Sequence, residues 1–130
     1  MNFEKLTIKT QEALAEANQL AQEYNHQQIE PEHILYALIS DPDGVVTATI
    51  KRFGVPVDQL KGKLEDYLKT IPKVYGGGTG QAYLSPRSQT MLNDAWKEAR
   101  ALKDEFISSE HLLLAMSSDC LLYTSPSPRD

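Results

Sequence analysis

Apolar positions along this chain recur three and four residues apart, and the pattern they make is then repeated whole. Leu14, Ala17, Ala21 and Tyr24 fall on one face of a helix predicted over residues 7–25. Thr7 stands at its start, where a hydroxyl can accept from a free first-turn amide. The polar run Asn25-His26-Gln27-Gln28 ends it. Pro31 opens a second helix, short and strongly apolar through Ile34, Leu35, Leu38 and Ile39, which should be central. Asp41-Pro42-Asp43-Gly44 turns the chain. Val45 to Phe53 is rich in β-branched residues and leans towards strand by composition. It reads as a third helix because it does not alternate and a turn brackets each end, with Gly54 as C-cap. A fourth helix runs from Asp58 to about Thr70, with Leu60, Leu64, Tyr67 and Leu68 on one side and Lys61, Lys63, Glu65 and Asp66 on the other.

The second half repeats the first at a shift of 78 residues without a gap. Ile29-Glu30-Pro31-Glu32-His33-Ile34-Leu35 returns as Ile107-Ser108-Ser109-Glu110-His111-Leu112-Leu113. Leu6, Gln11, Leu14, Ala17, Ala21 and Asp41 meet Leu84, Gln89, Leu92, Ala95, Ala99 and Asp119. About a third of the aligned positions are identical, the signature of a duplicated structural unit. Ser85 and Pro86 give the second copy a strong helix start. Leu92, Ala95, Ala99 and Leu102 repeat the first apolar face, and Ser108 caps the next helix.

These patterns predict an all-α fold of two tandem four-helix repeats in a pseudo-twofold arrangement. The first repeat spans residues 1–75, a glycine-rich linker 76–83, and the second repeat 84–119, cut short after its second helix. Residues 120–130 contain two prolines in a serine-rich stretch and cannot continue an amphipathic helix. They read in frame as a transposase-type sequencing adapter, so this tail is expected to be an artefact. Two absent helices would each have buried several apolar side chains at ~1.5–3 kcal/mol apiece. The expectation is therefore a loosely packed segment 109–117 that exposes Leu112 to Met116.

Composition narrows the class without changing the fold. The 130 residues suit one domain, 41% hydrophobic and 24% charged. A net charge of −5 disfavours nucleic acid and anionic membrane surfaces as partners. No apolar run approaches the ~20 residues of a membrane span, and residues 1–5 do not open a signal peptide. The lone Cys120 forms no internal disulfide, which fits a reducing, cytoplasmic compartment.

Catalytic motifs are scarce. The run Gly76-Gly77-Gly78-Thr79-Gly80 lacks the Gly-Lys-Ser/Thr of a phosphate loop. His33 and His111 invite a metal or acid–base reading, but no third ligand is spaced nearby. Equivalent positions in two repeats point instead to two equivalent core hydrogen bonds. Thr7 and Glu110 each have a local reason as helix-start residues, and Asp104 reads as a solvated loop carboxylate.

The repeat resembles the double Clp-N domain found at the N-terminus of Clp-type ring ATPases. The resemblance covers residues 1–119 and rests on Phe3-Glu4-Lys5-Leu6-Thr7, the two Glu-His phrases, Phe53-Gly54-Val55, Pro72-Lys73-Val74 and Glu105-Phe106-Ile107-Ser108-Ser109. These phrases are most similar to the ClpB disaggregases and less so to the ClpC unfoldases. The resemblance implies a non-enzymatic module that binds unfolded or aggregated polypeptides, and possible adaptor proteins, within a homohexamer that serves the stress response. ATP and magnesium would belong to rings outside this chain, and no cofactor or metal to the chain itself. In ClpB-type members the role falls on residues matching Thr7, Asp104 and Glu110. In ClpC-type members Glu32 and Glu110 would receive phosphoarginine or an adaptor. A stand-alone enzyme or metal protein built on the histidine pair is the remaining alternative.

Overall fold

The computed structural model describes residues 6–73, 82–104 and 106–118. The first helix, α1 (Ile8–Glu23), starts where the threonine predicts: the Thr7 Oγ1 accepts from the Thr10 amide at 3.3 Å. Its buried strip is Thr10, Ala13, Ala17 and Ala21, which keeps Ala17 and Ala21 of the expected face and puts Thr10 and Ala13 in place of Leu14 and Tyr24. Leu14 and Tyr24 flank the strip and are only half-buried. The small side chains let α2 (Pro31–Ile39) lie close against α1. Eight of the nine α2 residues are buried, so the short apolar helix is the centre of the first repeat.

α3 (Val45–Arg52) is helical despite its β-branched residues. Thr47 explains part of this, since its buried hydroxyl donates to the Asp41 carbonyl at 2.7 Å and satisfies the turn before the helix. Gly54 follows with φ +83°, the left-handed conformation that suits a residue without Cβ. α4 (Val57–Thr70) packs Leu64 and Leu68 against α2. In the second repeat, α5 (Pro86–Ala101) is capped by Ser85, whose Oγ accepts from the Ser88 amide at 3.1 Å. It buries Ser88, Met91, Leu92, Ala95 and Ala99, while Leu102 is 59% exposed rather than part of that face. α6 (Ser109–Ser118) packs on α5 and also meets α2 and α3.

That packing departs from the expectation that Leu112 to Met116 are exposed: Leu112 is 0% and Ala115 2% exposed, with α6 packed on α5, α3 and α2. Residues 119–130, including the tail, and nearly all of the expected linker lie outside the described residues.

Two short strands were not expected. β1 (Gln28–Ile29) pairs in parallel with β2 (Tyr83–Leu84), which takes Tyr83 out of the expected linker. Leu6 bridges Ile107 in the same parallel sense. Under the 78-residue shift, Ile29–Leu84 becomes Ile107–Leu6. Each repeat therefore lends its pre-helix strand to the other. The Thr7 amide donates to the Ile107 carbonyl at 3.0 Å, and the equivalent Ser85 amide donates to the Ile29 carbonyl at 3.1 Å. The left-handed residues after α1 and α5, Asn25 (φ 60°) and Lys103 (φ 62°), are likewise equivalent. This reciprocity is what a pseudo-twofold axis between the repeats produces.

Candidate functional site

The reciprocal strands bring helix starts together in pairs. On one side, the bond from Thr7 to Ile107 sets the beginning of α1 beside that of α6. Thr7 is half-buried there and Glu110 is exposed in the first turn of α6, where a carboxylate favours the positive end of the helix dipole. On the other side, Ser85 and Arg87 begin α5 beside Glu30 and Glu32 at the start of α2.

The two sides differ in charge. Arg87 reaches across the repeat boundary to Glu32, with guanidinium nitrogens 3.4 Å from both carboxylate oxygens. Glu32 is only 4% exposed, and burial raises its pKa even though Arg87 pulls the other way. The equivalent of Arg87 is Lys9, which lies 3.9 Å from Asp41 instead. Glu32 is thus held within the protein, whereas Glu110 faces solvent.

Both Glu-His phrases do the same structural work. The Glu30 amide donates to Nδ1 of His33 at 2.8 Å, and the Ser108 amide to Nδ1 of His111 at 2.8 Å. Each imidazole therefore carries its proton on Nε2. His33 donates to Nδ1 of His26 at 2.8 Å, and His111 donates to Oδ2 of Asp104 at 3.0 Å. His26 and Asp104 occupy equivalent positions in the two repeats. Burial lowers both His26 and His33, His33 to about 4 with help from His26. Lys73 adds to the lowering on His26, while the Leu68 backbone works against it.

The chain of atoms Ser108 Oγ, His111 and Asp104 has the order of a hydrolytic triad, with Oγ 3.0 Å from Nδ1. The lone pair on Nδ1 is already taken by the Ser108 amide, so the ring cannot act as base towards the hydroxyl. Repeat one builds the same capping contact with Glu30 and His26 in place of the serine and aspartate. The arrangement is architectural, and Asp104 is its anchor. Among the described residues no three His, Cys, Asp or Glu side chains are grouped to hold a metal ion, and no helix is long and apolar enough to cross a membrane.

Between the repeats runs an open groove of about 590 Å³. Leu6, Gln11, Leu14, Ala15, Asn18 and Ile29 of the first repeat and Ala82, Tyr83, Leu84 and Gln89 from the start of the second line it. None of the ten is charged. Gln11 and Gln89 each donate an amide to a strand carbonyl, Leu6 at 2.9 Å and Leu84 at 3.3 Å. These residues are absent from the expected site. The signal that finds them is the pairing of Gln11 with Gln89: identical across the repeat, yet exposed and polar.

The fold and this geometry define a duplicated helical domain with a groove at its repeat boundary that is uncharged among the described residues. Residues 5–121 match the Clp repeat (R) N-terminal domain, and the chain belongs to that family. It is 37% identical over 121 residues to the chaperone protein ClpB of Bacillus cereus, across 92% of this chain and 14% of that protein. The chain thus spans about a seventh of the length of that curated relative. Of solved structures, the N-terminal domain of the ClpV1 ATPase from E. coli superimposes with a TM-score of 0.82 at 28% identity, covering 92% of this chain and 72% of that one. A ClpV N-domain in complex with a VipB peptide superimposes at 0.78 with 26% identity, covering 95% and 74%.

Proposed function

We propose that this chain is the client-engaging N-terminal domain of a ClpB-type ATP-dependent disaggregase, a cytoplasmic homohexamer whose ATPase rings lie outside it. It takes exposed apolar segments of unfolded or aggregated polypeptides into the groove between the repeats and performs no chemistry on them. The lining carries this reading: among the described residues it holds no charge for recognising one sequence and rewards apolar surface of any. Thr7, Asp104 and Glu110 are not among the described lining; in this reading Thr7, next to the lining residue Leu6, and Glu110 belong to the rim, and Asp104 holds the loop before α6 through His111. Titration with a fluorescently labelled, permanently unfolded client tests it. Ala15→Asp, on the exposed groove wall, should weaken binding at least tenfold, and Thr7→Ala or Glu110→Ala severalfold. Binding unchanged in all three variants would remove the groove and its rim from the function.

A second reading, docking of an adaptor or of phosphoarginine as in ClpC-type members, is favoured by one observation. Arg87 on Glu32 shows that a glutamate at this helix position can hold a guanidinium. Glu32 is occupied from within, so Glu110 would be the receiving residue. Phosphoarginine that displaces the client in the wild type and not in Glu110→Ala would support this reading.

A further inference from the structure

Resting on the groove as the client site, we infer that it accepts an apolar segment in either chain direction. Both members of two equivalent pairs, Leu6 with Leu84 and Gln11 with Gln89, line the same groove. The pseudo-twofold axis therefore maps the centre of the groove onto itself. An axis that does so at a surface must run normal to the mouth, and it reverses any chain lying in the groove.

The local chemistry is equally blind to direction. Main-chain ladder pairing is what reads polarity when a strand is added to a sheet edge. Here the Leu6 and Leu84 carbonyls already accept from the side-chain amides of Gln11 and Gln89. Most of the remaining described lining is apolar, and apolar contact is not directional. The rest of the described lining is unpaired: Leu92, Asn93, Trp96 and Ile107, the counterparts of Leu14, Ala15, Asn18 and Ile29, do not line the groove, and the counterparts of Ala82 and Tyr83 lie outside the described residues.

The experiment titrates the full chain with a capped, uncharged peptide of leucine, valine, phenylalanine and serine, and with the same residues in reversed order. The two affinities should agree within about fivefold, and Ala15→Asp should weaken both by the same factor. A nitroxide on the peptide N-terminus should broaden amide signals near Asn18 and near Tyr83 alike. Binding by one order more than about tenfold tighter than the other, or broadening at one end alone, overturns the inference while leaving the groove as client site. Failure of both peptides to bind, or binding that ignores Ala15→Asp, overturns the groove reading and this inference with it.

Discussion

Arg87 of the second repeat sits on the buried carboxylate of Glu32 in the first, and their counterparts Lys9 and Glu110 do not repeat the contact. Among the described residues this contact has no copy across the repeat boundary, where a lysine stands in for the arginine. Removing Arg87 leaves Glu32 charged, buried and uncompensated. Arg87→Ala should cost about 1–2 kcal/mol in urea unfolding, less than a fully enclosed pair because the Arg87 side chain is 44% exposed. Glu32→Gln should cost less than Arg87→Ala, since the amide carries no buried charge. The reverse order would mean that the pair adds attraction rather than relieving desolvation.

The His26–His33 pair predicts a loss of stability in mild acid. Both pKa values lie below 6.5 in the folded protein, so protons bind the unfolded chain more readily. For His33 the contribution is fully present above about pH 6.5 and fades as pH falls towards about 4. It amounts to about 3 kcal/mol when wholly lost. Urea midpoints measured across this window should fall in the wild type and much less steeply in His33→Gln. Equal slopes would assign the acid sensitivity to carboxylates instead.

The two helix caps separate structure from binding. Thr7→Ala and Ser85→Ala each remove a hydroxyl that accepts from a first-turn amide, at about 1 kcal/mol apiece in chemical denaturation. If Thr7 also contacts client, only Thr7→Ala should weaken client binding beyond its effect on stability. Matching losses of affinity in both variants would reduce Thr7 to a cap.

Much of this fold is legible from the duplication and from helix-start chemistry. Thr7, Pro31, Ser85 and Gly54 each sit where their stereochemistry demands, and the paired histidines do make equivalent bonds. The reciprocal strands are not legible, because two residues are too few to show alternation and their pairing spans more than fifty positions. The burial of Glu32 hides for the same reason: its partner stands 55 residues away. Leu14 is only partly legible: it packs against the core as its helical spacing suggests, but from beside the alanine strip, where it also lines the groove.

The packing of α6 makes a sharper test of the second repeat. Leu112 is fully enclosed, so Leu112→Ala should destabilise by about 2–5 kcal/mol. The amide of Leu112 should also exchange slowly with solvent. Fast exchange there together with a negligible mutational cost would show that α6 is not held as described.

The crossed bonds between Thr7 and Ile107, and between Ser85 and Ile29, add a reciprocal tie between the halves to their shared apolar face. Each half completes its opening turn only with a carbonyl borrowed from its twin. Heating should accordingly melt both halves in one calorimetric transition, and a solitary copy of either would have to find a substitute acceptor or associate with another of its kind.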